Sequence, residues 1–137
     1  MSEPLRVLVL CTGNSARSQI AEALFNHRGG GRFRAESAGS RPAARVNSVA
    51  VRVLAEQGIA WEGRTPRGMD GLERQTWDLV ITVCDHAKEV CPFFPGARML
   101  HWGMPDPAEV EGDEETKLRA FRETFHALER HIAEFTP

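Results

Sequence analysis

The segment Leu5-Arg6-Val7-Leu8-Val9-Leu10 is apolar at nearly every position and runs without a break into the polar octapeptide Cys11-Thr12-Gly13-Asn14-Ser15-Ala16-Arg17-Ser18. A strand that does not alternate apolar with polar residues has to bury both of its faces, as the strands of a parallel sheet do. Beyond the octapeptide, Ile20, Ala21, Ala23, Leu24 and Phe25 form a helical stripe that stops at Gly29-Gly30-Gly31, where glycine admits the backbone conformations that end a helix. The start of the chain therefore predicts a strand, a loop and a helix in succession.

The same pattern continues. Phe33 to Ser37 reads as a second strand, and Asn47 as the N-cap of a helix that carries Val49, Ala50, Val53 and Leu54 and closes at Gly58. Asp78 to Val83 is a third strand, again with little alternation, and Arg98 to His101 a fourth, at an edge or inside the sheet. From Glu114, with Asp113 as N-cap, Leu118, Phe121, Phe125, Leu128, Ile132 and Phe135 recur at steps of three and four; a stripe at that spacing is a packing face and is assigned no chemistry. Strands alternating with helices predict an α/β fold, a three-layer sandwich around a central four-stranded parallel sheet, with residues 1–137 as a single catalytic domain.

Charge and composition exclude several roles. A formal net charge of -2 without a block of Lys or Arg speaks against nucleic acid or an anionic membrane as partner. The apolar run Val7 to Leu10 is far too short for a signal peptide or a membrane span, so a cytoplasmic location is expected. No exposed apolar stripe is evident, and a monomer is expected. Three cysteines in a reducing compartment predict no disulfide framework; the thiols are either inert core residues or chemically active ones.

In open parallel sheets ligands bind beyond the carboxyl ends of the strands, so residues just after Leu10, just after Val83 and around Asp106 are expected to meet in one crevice. A loop leaving a buried strand for a helix N-terminus aims backbone N–H groups and the positive end of the helix dipole at one spot, which suits a tetrahedral oxyanion. Thr12 to Ser18 would supply the amides, with Gly13 and Asn14 allowing the tight backbone and Arg17 forking onto two anion oxygens. Beside that guanidinium, Cys11 is expected to have a lowered pKa and to act as a thiolate nucleophile. Asn14 and Ser18 are placed to hold the thiolate or the loop. The competing reading is a structural cysteine in an ordinary turn between strand and helix.

Cys84 leaves the third strand at the same sheet edge as Cys11. Cys91 follows seven residues later, after a segment that reads as two helical turns ending at Pro92. Seven residues of intact helix rise by about 10.5 Å, beyond the roughly 7 Å Cα separation a disulfide tolerates, so pairing of these two would require local unwinding. Inert packing of both cysteines, and a zinc site with His86, stand beside that redox reading; the zinc site lacks a fourth ligand. Asp106, in the rigid turn Pro105-Asp106-Pro107, is either a turn residue or a carboxylate that leans over the oxyanion as a proton donor. His101 and Trp102 are read as structural or lining residues.

With these residues in place, the chain resembles the thioredoxin-coupled arsenate reductases, which share the low-molecular-weight protein tyrosine phosphatase fold. The resemblance runs through Cys11 to Gln19, Ser37-Ala38-Gly39, Cys84 with Cys91, His101-Trp102-Gly103 and Asp106-Pro107-Ala108. The first motif is shared with the phosphatases; the three-cysteine set is specific to the reductases. The resemblance implies that Cys11 attacks arsenate, that Arg17 and the loop amides hold it, and that Asp106 assists. Phosphate or sulfate would fit the same loop. Cys84 then attacks Cys11 and Cys91 attacks Cys84, leaving a Cys84–Cys91 disulfide that thioredoxin reduces from outside, with no bound cofactor. Members that hold a potassium ion are similar at Asn14, Glu22 and Ser37, but Arg67 stands where they carry an aspartate, so no metal is expected. The chain contains no tyrosine, and so lacks the aromatic residues that help the phosphatases recognise phosphotyrosine. Two alternatives remain: a phosphatase using Cys11, Arg17 and Asp106, and a non-enzymatic redox sensor or oxyanion-binding protein.

Overall fold

The computed structural model describes residues 3–84, 91 and 94–135. Its elements are β1 (Leu5–Cys11), α1 (Arg17–Arg28), β2 (Phe33–Gly39), α2 (Ser48–Glu56), β3 (Leu79–Thr82), β4 (Arg98–His101) and α3 (Glu114–Glu134), with short 3-10 turns at Leu72–Arg74 and Pro107–Glu109. The strands are all parallel, in the order β2-β1-β3-β4. Val7, Leu8, Val9 and Leu10 of the inner strand β1 are each 0% exposed. Successive residues of a strand point to opposite faces, so burial of four in a row means that both faces of the sheet are covered, which is the three-layer arrangement the sequence predicts.

Helix α1 buries Ile20, Ala21, Ala23, Leu24 and Phe25 and packs on β1, β2 and α3. The side chain of Asn47 caps α2 by accepting from the backbone N–H of Val49 (2.8 Å) and Ala50 (3.4 Å). Asp113 caps α3 through the Thr116 N–H at 2.8 Å, and the α3 face Leu118, Phe121, Phe125, Leu128 and Ile132 is buried as its spacing predicts. Phe135 lies one residue past the helix end and still packs against the core.

The boundaries depart from the predicted ones where tertiary bonds decide. β2 runs two residues past Ser37, to Gly39, because Ala38 and Gly39 pair with Leu10 and Cys11. β3 begins at Leu79 rather than Asp78, whose carboxylate accepts from the Arg6 N–H at 2.8 Å. β4 lies at the sheet edge, which leaves Arg98 and Met99 exposed. Ile59, Trp61, Leu72 and Trp77 complete the core from a stretch with no helical or strand period; the Trp77 indole N–H donates to the Leu72 carbonyl at 2.8 Å. The predicted helical turns at 85–90 lie outside the described residues.

Because Asn47 satisfies two otherwise open N–H groups of α2, Asn47→Ala should lower stability by about 1 kcal/mol, read as a lower midpoint in denaturant with an unchanged slope.

Candidate active site

The parallel register brings Cys11 level with Gly39, and Leu10 level with Thr82, so the loops after β1, β2 and β3 leave the sheet at one end. The carbonyls of the Cys11 loop are nearly all engaged from outside. Cys11 O, Thr12 O, Gly13 O and Ser15 O accept from the backbone N–H groups of Ser40 (3.2 Å), Arg41 (2.8 Å), Ala43 (2.9 Å) and Asn47 (2.8 Å), and Ala16 O accepts from Ile20 (2.9 Å). In a trans peptide the carbonyl and the following N–H point in opposite directions. With the carbonyls turned outward to the 40–47 segment, the amides of the loop turn inward, which builds an anion nest. Helix α1 adds to it: Ala16 at its N-cap has no side chain to satisfy the first amides, and no acidic residue occupies the first turn.

Gly39 is required by this clamp, since a Cβ there would lie 2.5 Å from the Thr12 carbonyl oxygen and 3.0 Å from the Asn14 nitrogen. Asn14 takes the left-handed conformation, φ 51°, alone among the non-glycine described residues. It is fully buried and tied on every side: Nδ2 donates to Ser18 Oγ (2.8 Å) and Ser37 Oγ (2.9 Å), and Oδ1 accepts from the Arg67 N–H (2.9 Å) and Gln19 Nε2 (3.1 Å). Ser18 Oγ thus helps to hold the loop through Asn14.

Arg17 is 8% exposed. Its Nη1 donates to Met104 O at 2.8 Å, Nη2 stands 3.7 Å from Asp106 Oδ2, and Nε is buried with no hydrogen-bond partner. An unsatisfied buried guanidinium N–H is costly unless a ligand engages it. Asp106 caps the turn at 107–109 by accepting from the Ala108 N–H (2.9 Å) and leaves its second oxygen facing Arg17. Thr12, Arg17, Cys84, Gly103, Met104, Pro105, Asp106 and Glu109 line one open cavity of about 770 Å³. The structure thus brings together the loop, Arg17, Cys84 and Asp106. His101 instead bonds Thr82 Oγ1 through Nδ1 (2.7 Å), and Trp102 stacks between Phe25 and His131.

All three cysteines are reduced. Cys84 Sγ lies 3.2 Å from Thr12 Oγ1, at the start of the Cys11 loop. Contact with Cys84, together with burial, holds the Cys11 thiol far above the ordinary cysteine range, against the opposing pull of the Arg17 guanidinium and the Thr12 N–H. This corrects the expected low-pKa thiolate. The sequence reading weighed Arg17 and the helix dipole, whereas the dominant neighbour is a second thiol, and two thiols in contact resist ionising together. Cys91 is half-buried, packs against the core, and has its thiol pKa raised by burial. His86, the histidine of the zinc reading, lies outside the described residues.

The residues that would carry a potassium ion do not fit one. Asn14 Oδ1 already has two N–H donors, Ser37 Oγ bridges Asn14 and Glu22 (2.7 Å), and Glu22 Oε2 meets Arg64 Nη1 at 3.3 Å. The guanidinium beside Glu22 is that of Arg64, whereas Arg67, which stands where the potassium-holding members carry an aspartate, pairs with Glu36.

The sequence pattern of the low molecular weight phosphotyrosine protein phosphatases matches residues 6–136. The arsenate reductase of Halalkalibacterium halodurans is 39% identical over 130 residues, covering 94% of this chain and 93% of its own. Among solved structures, an arsenate reductase from Archaeoglobus fulgidus is 35% identical with a TM-score of 0.70, covering 93% of this chain and 99% of its own. A thioredoxin-dependent arsenate reductase from Corynebacterium glutamicum is 30% identical, also at 0.70, covering 96% of this chain; the present chain spans 63% of that one.

Two outcomes test the geometry. Removing the second thiol in Cys84→Ala should lower the pH at which Cys11 is carboxymethylated by iodoacetate, because the contact that keeps the proton on Cys11 is gone; an unchanged pH profile would show that burial alone sets it. Gly39→Ala should leave the secondary structure intact yet weaken sulfate binding by about tenfold or more, measured by calorimetry, since the clamp on Thr12 must open.

Proposed function

This chain belongs to the low molecular weight phosphotyrosine protein phosphatase family, and on that premise we infer that it reduces arsenate to arsenite, as its relatives named arsenate reductases do, with thioredoxin as the external reductant. The observation that carries the reading is the Cys84 thiol at the anion loop, 3.2 Å from Thr12 Oγ1 and lining the same cavity as Arg17 and Asp106. A phosphatase needs only a nucleophile, an arginine and an acid; in that reading Cys84 and Cys91 would be bystanders or protective thiols, whereas the reductase uses both.

In this reading arsenate enters as an anion held by the inward amides of Thr12 to Ser18 and by Arg17, whose buried Nε gains its missing partner. The Cys11 proton passes to an arsenate oxygen as the sulfur attacks arsenic. Asp106, facing Arg17 at the rim, protonates the departing oxygen, which leaves as water. Cys84 then attacks Cys11 Sγ; the S–As electron pair stays on arsenic, so As(V) becomes As(III) and arsenite departs, leaving a Cys11–Cys84 disulfide. Cys91 attacks Cys84 Sγ, which returns Cys11 as a thiolate and leaves a Cys84–Cys91 disulfide. A dithiol of thioredoxin takes up that disulfide and is itself oxidised.

The assay is arsenate-dependent NADPH consumption in the presence of thioredoxin and thioredoxin reductase. The wild type should turn over continuously, Cys11→Ser and Cys84→Ser should be inactive, and Cys91→Ser should stop after one event. Asp106→Asn should lower kcat about a hundredfold with a smaller change in KM. No arsenate-dependent oxidation, together with Cys11-dependent phosphate release from an aryl phosphate, would replace this reading with that of a phosphatase.

A further inference from the structure

Outside the cavity that Arg17 and Asp106 line, six side chains close a ring that begins and ends at Asn14. Asn14 Nδ2 donates to Ser37 Oγ (2.9 Å), and Ser37 Oγ donates to Glu22 Oε1 (2.7 Å). Glu22 Oε2 meets Arg64 Nη1 (3.3 Å), and the Arg64 guanidinium lies 4.0 Å from the centroid of the Trp61 ring. The Trp61 indole N–H donates to Gln19 Oε1 (2.9 Å), and Gln19 Nε2 returns to Asn14 O (3.0 Å) and Oδ1 (3.1 Å). Asn14, Gln19, Ser37 and Trp61 are buried, whereas the Arg64 side chain is 50% exposed. The ring's one cation is therefore its most accessible member.

The direction of each bond follows from charge. Ser37 has one proton to donate; while Glu22 is a carboxylate, that proton goes to Glu22 and the Ser37 lone pairs face Asn14. Asn14 needs its bonds, because it holds a left-handed conformation at the bend of the anion loop.

We propose that Arg64 is a positioning residue for the anion loop: docked on Trp61 and paired with Glu22, its guanidinium anchors the carboxylate that accepts from Ser37 and so holds Asn14 in the geometry that curls the loop around an oxyanion, in the place of a metal ion. The chain thus carries a built-in cation on the far end of a flexible side chain, and oxyanion affinity answers to a residue that touches no substrate. This inference deepens the proposed function but rests only on its anion-binding part.

Sulfate binding to the reduced full-length chain, followed by calorimetry in sodium and in potassium salts, tests it without turnover. The wild type should bind equally in both. Arg64→Ala should bind about tenfold more weakly in sodium salts with its thermal midpoint little changed, Arg64→Lys should recover most of the loss, and Arg64→Ala should cost nothing further once Glu22 is Gln. Wild-type affinity in Arg64→Ala, an equal loss in the Glu22→Gln background, or a potassium requirement in the wild type would each overturn the proposal. Failure of arsenate reduction would leave it standing.

Discussion

The outward pull on the carbonyls of the Cys11 loop is the constraint on which the rest of the site depends. A short loop has as many acceptors as donors, and an anion is repelled by the acceptors. Four of the carbonyls are taken by the N–H groups of Ser40, Arg41, Ala43 and Asn47, so the planarity of the peptide leaves the amides facing the centre. That clamp explains why a glycine stands at position 39, where the backbones of two loops come within contact distance. It also explains why Asn47 lies where it does, since one residue both starts α2 and holds Ser15.

The same construction places the chemistry. β1 delivers Cys11 into the nest, the parallel neighbour β3 delivers Cys84 beside it, and the turn after β4 brings Asp106 to Arg17. Each of these side chains comes from the carboxyl end of a strand or the loop beyond it, so their mutual distances are set by sheet register rather than by flexible segments. Cys84 and burial raise the Cys11 thiol pKa, against the pull of the Arg17 guanidinium.

Local physics made much of this legible in the sequence. The unbroken apolar run at 7–10 specifies a strand buried on both faces, because every register of it buries something. The periods of α1 and α3, and the caps at Asn47 and Asp113, depend on neighbours within four residues and were readable for that reason. So was the spacing of Cys11 and Arg17 across the start of a helix. The stretch carrying Trp61, Leu72 and Trp77 was not readable: its residues are buried by the shape of the cavity they fill, and irregular backbone leaves no period behind.

Sequence by itself determined the order of strands and helices, the anion loop and the residues able to do chemistry, since these follow from backbone sterics and side-chain type at short range. Only the tertiary structure decided that Cys84 meets Thr12 of the Cys11 loop, where it raises a thiol expected to be acidic, and that Arg64 is the arginine beside Glu22. Those outcomes join residues 72 or 42 positions apart. Which of two nearby arginines reaches a buried carboxylate, and which neighbour dominates a thiol, turns on ångström differences that strand register and packing set and that no local pattern encodes.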